Sequence, residues 1–382
     1  MRAGTAAGRA GTGRAAPAGR PDVSLVVQQL RRAVPGGIGT YCTGLLAGLA
    51  ALGQGGAALP ALELVASATR ARPDPLRAWG VPVRAVPVPG PLLTRLWDAG
   101  IDAGTRGAVV HALSLASPPA RGRALVVTVH DLAWLDVPQA FPARGRRWHQ
   151  AALDRAVARA SRLVVPSAAV ADAVVGAGAA AGRVVVVEHG SDHLPPADDR
   201  GAGELLARLG VAGPFVLAVG TLEPRKNLAR LTEAHRRAQA RLGERMPLVV
   251  VGPRGWGDGA PAAGAPAAEA VAAGPVPAAV LAGLYRRARL LAYVPLAEGF
   301  GLPPLEAMAA GTPVLCSAVP SAGGAALQVD PTDVDAIAGA LVEVATDDAT
   351  RRDLVAAGYR RAAARTWRAS AAEHVALWQA LR

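Results

Sequence analysis

Short apolar runs alternate with longer stretches rich in Ala, Leu and Arg along most of this chain. Asp22–Leu30 (DVSLVVQQL), Ala108–Leu113 (AVVHAL), Ala124–Val129 (ALVVTV), Arg162–Pro166 (RLVVP) and Val184–Glu188 (VVVVE) read as strands. So do Phe215–Val219 (FVLAV), Leu248–Val251 (LVVV), Leu290–Val294 (LLAYV) and Val314–Cys316. Nearly every position in them is apolar, as in parallel strands covered on both faces. Helical stretches lie between them, among them Asn227–Leu242, Ala278–Arg287 and Asp333–Thr346. This alternation predicts doubly wound α/β layers. So many strands overfill one open sheet. Asp192–Gly203 (DHLPPADDRGAG) clusters Pro, Gly and acids without periodicity, and is the expected linker between two halves. Gly257–Pro277, rich in Ala, Gly and Pro, is the expected surface loop.

Composition narrows the class. Of 382 residues, 51% are hydrophobic and 18% charged, which excludes a disordered chain. Cys42 and Cys316 are the two cysteines and lie far apart, which excludes a disulfide scaffold and a Cys-built metal site and fits a soluble protein of a reducing compartment. Residues 1–20 carry four Arg, no acid and no apolar core. They read as a disordered tail, or as sequence ahead of the true start, and not as a secretory signal. Residues 33–62 are apolar but interrupted by Gly and Pro, so a helix plus a loop is expected there and no membrane span. The net charge is +12; residues 1–195 hold 21 basic and 11 acidic side chains, +10 of that total. A nucleic-acid binder would explain the charge, but aromatics are only 4% and no recognition motif is present. Lys occurs once, at Lys226, and Asn once, at Asn227, in a chain whose other basic side chains are Arg. A compact ammonium beside a lone amide would mark a place where the planar Arg fork does not substitute, with chance as the rival reading.

Candidate chemistry gathers at strand ends, where open α/β sheets bind ligands. Gly36-Gly37-Ile38-Gly39 follows the first strand and precedes a helix expected near Tyr41; free amides there would favour an anion. A dinucleotide fingerprint would need glycine where Cys42 stands, and a plain turn is the rival reading. Gly220–Asn227 (GTLEPRKN) places Arg225 and Lys226 at the start of a helix, where the dipole disfavours cations. An anion shared by the charges and the free amides accounts for that placement, and a diphosphate fits best. Glu298–Glu306 (EGFGLPPLE) follows LLAYV, with Pro303 and Pro304 suited to a first helical turn. Its two carboxylates could each grip a pair of hydroxyls, although Glu306 alone could serve as a helix-start partner. His130-Asp131 ends ALVVTV and either bonds locally or faces a cleft. His189 and His193 (EHGSDH) are the only close His pair and lack metal-ligand surroundings.

GGIG, VTVHDLAWL, VVPS, VGTLEPRKN, VVVGPRGWG, LYRRARLLAYVPLAEGFGLPPLEAMAAGTPVL and VDPTDVDAIAGAL, in that order from about Val23 to the C-terminus, resemble the retaining nucleotide-sugar glycosyltransferases of family 4. TLEPRKN with GPRGWG is similar to the mannosyltransferases of glycan and glycolipid assembly. The resemblance implies the α/β GT-B fold: two Rossmann-like, doubly wound parallel-sheet domains facing across a cleft. The implied organisation is a tail over 1–20, an acceptor-side domain over 21–191, a linker over 192–203, a donor domain over 204–368, and a helix over 369–382 returning to the first domain. It implies that Arg225 and Lys226 hold the donor diphosphate, that Glu298 binds the sugar hydroxyls, and that His130 reaches the sugar from the other domain. Gly37 and Gly39, with Ile38, would line the cleft, with Thr221, Gly299, Phe300, Gly301 and Leu302 around the donor and Glu306 on its ribose. No cofactor and no metal are implied, because cations and helix amides supply the electrostatics. The expected donor is GDP- or UDP-hexose, mannose favoured, and the acceptor is a glycan or a lipid-linked one. No nucleic acid is expected. A cytoplasmic site of action is expected, peripheral at the anionic inner face of the plasma membrane. Two departures stand out. A short segment with a Pro-Glu pair, usual in the family after GTPVLCSAVPS, is missing after Ser321, and His189 stands where the family tends to place Asn. The missing segment predicts disturbed packing beside Glu306 and keeps a catalytically impaired, nucleotide-sugar-binding relative as the alternative.

Overall fold

The computed structural model describes residues 20–255 and 270–382. All but the last residue of the tail expected over 1–20, and most of the low-complexity loop, lie outside the described residues. Seven strands form the first sheet: β1 (Val23–Val26), β2 (Leu62–Ser67), β3 (Val83–Val86), β4 (Val109–Ala112), β5 (Ala124–Thr128), β6 (Arg162–Val165) and β7 (Val184–Val186), in the order β3-β2-β1-β4-β5-β6-β7. Six form the second: β8 (Val216–Val219), β9 (Leu248–Val251), β10 (Ala270–Gly274), β11 (Leu290–Tyr293), β12 (Val314–Cys316) and β13 (Leu327–Gln328), in the order β10-β9-β8-β11-β12-β13. Every pairing in both sheets is parallel. Strand order reverses beside β1 and beside β8, and these reversals open the crevices that ligands use.

Several elements depart from the sequence pattern. The run Asp22–Leu30 is strand only to Val26 and then tightens into a 3-10 turn at Gln28–Arg31. β2 contains a buried Glu63, which accepts from Ser24 Oγ at 2.5 Å and from the Arg106 amide at 3.0 Å. β10 lies within the segment expected as surface loop; its small side chains form an edge beside β9. Asp199–Arg208 is helical and packs on helix Ala278–Arg287, so the second part of the expected linker belongs to the second unit.

Helix Gly36–Gln54 runs uninterrupted and, among the described residues, is the one long and apolar enough to cross a membrane. Half of its span is buried: Tyr41, Leu45, Leu49 and Leu52 enter the core. The closing helix Trp367–Gln379 lies against it. Gly44 and Gly48 make room for Trp367, whose ring and backbone occupy the space that side chains there would take.

A hydrogen-bond chain of fixed direction pins this helix pair. The Trp378 indole donates to His111 Nδ1 (3.1 Å), so His111 Nε2 carries the proton and donates to Thr128 Oγ1 (2.9 Å). His374 Nδ1 donates to the Ser370 carbonyl (2.7 Å), so its Nε2 accepts from Tyr41 Oη (2.9 Å). Thr128 then donates to Tyr41 Oη (3.1 Å). Burial lowers the pKa of both imidazoles, that of His374 to about 4, which keeps them neutral and single-tautomer.

The chain crosses between the two sheets twice, after β7 and ahead of Trp367, and the crossings are zipped together. Glu188 accepts from Arg361 (2.8 Å) and Arg365 (2.5 Å). Ser191 donates through its amide and its hydroxyl to the Arg365 carbonyl at 3.0 and 2.9 Å. Asp192 Oδ1 accepts from the Trp367 amide at 2.7 Å. Gly48→Ala would drive a methyl into the Trp367 carbonyl, so it should lower stability by about 1–3 kcal/mol. Urea unfolding checks this; an unchanged midpoint would show that the helix pair has slack.

Candidate active site

Parallel strands deliver their C-terminal ends to one side of each sheet. On the second sheet, β8 leads into Gly220–Asn227 and β11 into Pro295–Gly301. On the first, β5 leads into His130-Asp131, and β1 leads through its 3-10 turn to Gly36–Gly39. The helix expected near Tyr41 already begins at Gly36, so GGIG is its first turn; Gly37 is exposed and Gly39 is buried against Pro35.

Arg225 and Lys226 sit in a single 3-10 turn, Pro224–Lys226, closed by Asn227 in the left-handed conformation (φ 59°). Asn tolerates that region better than most residues. Its buried amide donates to the Val294 carbonyl (3.0 Å) and the Pro331 carbonyl (2.7 Å), and Arg230 donates back to its oxygen (3.0 Å). The chain's lone Asn therefore staples the cationic turn to the end of β11. The backbone completes the staple, with the Leu296 amide donating to the Arg225 carbonyl (2.9 Å).

The two cations converge on one carboxylate. Lys226 Nζ donates to Glu298 Oε2 at 2.5 Å and to Tyr293 Oη at 2.7 Å, and Tyr293 donates to the same Glu298 oxygen at 2.6 Å. Arg225 donates to Glu298 Oε2 (3.2 Å), the Ala297 carbonyl (3.0 Å) and Glu223 Oε1 (2.8 Å). Burial pushes the Glu298 pKa up, but Lys226 and Arg225 overcome it and hold the carboxyl down at about 2. Burial works against the Arg225 charge, and Glu298, Asp131 and Glu223 more than restore it. Burial and the Glu298 charge keep the Tyr293 phenol protonated. Tyr293 and Glu223 escape sequence reasoning. Tyr293 is the one polar side chain in LLAYV, which is the only trace of its role.

Glu306 joins a neighbouring network. It lies buried in helix Leu302–Ala309, which opens on Leu302, Pro303 and Pro304. Its Oε2 accepts from Tyr285 Oη (2.7 Å) and its Oε1 pairs with His193 Nε2 (2.8 Å). Thus Glu298 and Glu306 are held by different partners, although Tyr293 feels both charges. Near Glu306, where disturbed packing is expected, the Ser321 hydroxyl is buried with no hydrogen-bond partner among the described residues. The shortened segment closes as a turn, Pro320–Ala322, with the Ser321 amide on the Phe300 carbonyl (2.9 Å) and Arg361 Nε on the Ser321 carbonyl (2.8 Å).

Across the seam, His130 donates through Nε2 to the Leu113 carbonyl (3.0 Å), and burial lowers its pKa. Its own carbonyl lies against Gly299, where any Cβ would overlap it, and Ser167 Oγ donates to the Gly299 carbonyl (2.8 Å). Glycine at 299 is what lets the two units touch at this point. Phe300 is buried on His189 (ring centroids 4.7 Å apart), while Thr221 is half-buried in the loop after β8. Among the described residues no group of His, Cys, Asp and Glu is arranged to hold a metal.

Residues 36–190 match the family Glycosyl transferase 4-like domain, and residues 209–361 match Glycosyl transferases group 1. The chain is 32% identical over 265 residues to the O-antigen chain mannosyltransferase B of Escherichia coli, covering 65% of this chain and 68% of that one. It is 36% identical over 287 residues to a D-inositol 3-phosphate glycosyltransferase of Geodermatophilus obscurus, covering 67% of this chain and 61% of that one. In structure it is similar to Anabaena HepE, solved with UDP and glucose, with a TM-score of 0.69 at 19% identity over 94% of this chain and 100% of that one.

The depressed Glu298 sets a pH dependence. Its ion pairs stabilise the fold above the ordinary carboxyl value of 4.5, and that contribution is lost as pH falls toward about 2. Glu298→Gln should be less stable at neutral pH and should lose stability less steeply between those values. Chemical denaturation at stepped pH measures both; parallel wild-type and variant curves would contradict it.

Proposed function

The chain belongs to the family-4-type nucleotide-sugar glycosyltransferases of the GT-B fold, and on that premise we propose that it moves a hexose, mannose favoured, from GDP- or UDP-hexose to a glycan or lipid-linked acceptor with retention of configuration. The observation that carries the reading is the convergence of Arg225 and Lys226 on Glu298 at adjacent strand ends, in a loop that meets His130 from the other sheet.

In this reading the donor diphosphate takes the place of Glu298 Oε2 between the two cations. Glu298 then turns its carboxylate to the sugar hydroxyls, and Glu306 takes the ribose. The bond from the anomeric carbon to the phosphate oxygen breaks. The electron pair leaves with the nucleoside diphosphate, whose growing charge Arg225 and Lys226 stabilise. The acceptor hydroxyl oxygen bonds the anomeric carbon on the same face, and its proton passes to the leaving phosphate. Gly37, Gly39, Thr221 and Gly299–Leu302 line the route of donor and acceptor, and His130 contacts the sugar. The cation pair supplies the stabilisation a metal gives elsewhere, so transfer proceeds without one.

Lys226→Ala should leave the fold intact and lower hexose transfer about 10²–10³-fold. Wild-type transfer should persist in excess EDTA. Near-normal turnover of the variant refutes the diphosphate assignment, and abolition by chelator with rescue by Mn²⁺ refutes metal independence. Nucleotide binding without turnover in the wild type would favour the impaired relative.

The acceptor side is the basic one. Helix Ala143–Arg159 starts with Arg144 and Arg147 exposed, while Trp148 is pinned inward by its bond to Asp98 (3.0 Å) and Phe141 is half-buried. The arginines therefore carry the membrane reading more than the Trp does. Each basic side chain near an anionic leaflet contributes about 1 kcal/mol. This supports peripheral association at the inner face of the plasma membrane and a cytoplasmic site of action. The protein should co-sediment with phosphatidylglycerol vesicles at low salt and release at high salt. Protein left in the supernatant at low salt would point to a soluble acceptor.

A further inference from the structure

We propose that His193 is a positioning residue: it orients Glu306 for the donor ribose and ties that carboxylate to the clasp between the two domains. The inference rests on the assignment of Glu306 to the ribose.

Hydrogen-bond chemistry determines how His193 stands. An indole N–H can only donate, so the bond from Trp367 Nε1 (3.1 Å) makes His193 Nδ1 an acceptor. The ring proton is then on Nε2, which donates to Glu306 Oε1 at 2.8 Å. Tyr285 Oη donates to the other oxygen at 2.7 Å. Glu306 is thereby gripped by one donor per oxygen, and its remaining lone pairs point in fixed directions. A carboxylate held this way loses little freedom when two vicinal hydroxyls bind it.

The four groups in this network come from different parts of the fold. Glu306 lies on a helix of the donor domain, and Tyr285 on the helix Ala278–Arg287 beside it. His193 lies in the first crossing, and Trp367 opens the helix that returns to the first domain. One residue before His193, Asp192 accepts from the first amide of that helix, and two before, Ser191 is bonded to the second crossing. Any shift of the clasp therefore moves the donor to Glu306 Oε1, and ribose binding in turn favours the clasped arrangement.

The test titrates UDP and GDP, and their 2′,3′-dideoxy forms, into the full chain as wild type, His193→Ala, His193→Gln, Trp367→Phe and Glu306→Gln, alongside transfer kinetics. Losing one bond to a charged group should weaken nucleotide binding and raise donor KM about tenfold in His193→Ala, with kcat within about twofold. Its preference for the ribose over the dideoxy form should shrink. His193→Gln, whose amide can donate where Nε2 does, should recover most of both. Trp367→Phe, which frees the His193 tautomer, should show the same changes in smaller size. A merely structural role would instead lower kcat and leave the ribose preference intact. If Glu306→Gln loses ribose preference while His193→Ala and Trp367→Phe keep it, this inference is overturned alone. If Glu306→Gln also keeps it, the ribose assignment fails and takes the inference with it. Should His193→Ala not fold, Trp367→Phe decides between the same outcomes.

Discussion

The indole of Trp367 occupies the junction on which the arrangement of the two domains depends. Gly44, Gly48 and Gly190 each lack a side chain where Trp367 lies. Its ring stacks on His189 at 5.6 Å and tilts on Tyr41 at 6.0 Å, and its N–H points at His193. One large buried side chain at the start of the last helix thus touches the first long helix of the first domain and the first crossing. Phe and Trp truncations in cores cost about 3–5 kcal/mol, and here the loss would fall on a domain junction. The core cluster around Trp367 includes residues of both sheets, so the seam is joined by apolar packing as well as by bonds.

With the domains held this way, the chemistry at the seam is electrostatic. Buried charges are expensive unless paired, and breaking such a pair costs about 3–5 kcal/mol. Arg225, Lys226, Glu223 and Glu298 balance one another in a small volume, with Tyr293 closing the cluster. On the proposed reading, a diphosphate entering it would take over the two cations that Glu298 now holds, so Arg225 and Lys226 would stay compensated during the exchange. Such an exchange would be a physical reason for two cations and a carboxylate to occur together. The loop that carries Glu298 also carries Gly299, the point where the other domain is touched, so the state of the cluster and the closure of the cleft share one short segment.

The alternation of apolar runs and helical stretches is a local property, and most strands were legible from it. β2 and β3 were not. Glu63 breaks the apolar run of β2, and its burial is made tolerable by Ser24 and by the amide and guanidinium of Arg106, which are distant in sequence. β3 is an edge strand with Arg84 exposed, so it lacks the continuous apolar signature. β10 is composed of small residues that resemble a flexible loop until β9 pairs with them. GGIG looked like a turn before a helix because glycines are poor helix formers. In the structure GGIG is instead the first turn of the helix whose later glycines, Gly44 and Gly48, receive Trp367.

The sequence by itself determined the α/β class, the family resemblance, and the residue types of the site: a lone Lys, a lone Asn, and two carboxylates after one strand. These are carried by composition and short spacing, which need no knowledge of distant partners. Only the tertiary structure decided how they are joined. It gave Asn227 its task as a staple and brought Tyr293 and Glu223 to the cations. It also separated Glu306 from Glu298 and handed it to Tyr285 and His193. Each of these depends on side chains many residues apart meeting at the ends of parallel strands or at the double crossing. Such meetings are set by strand order and domain docking, which no local spacing encodes.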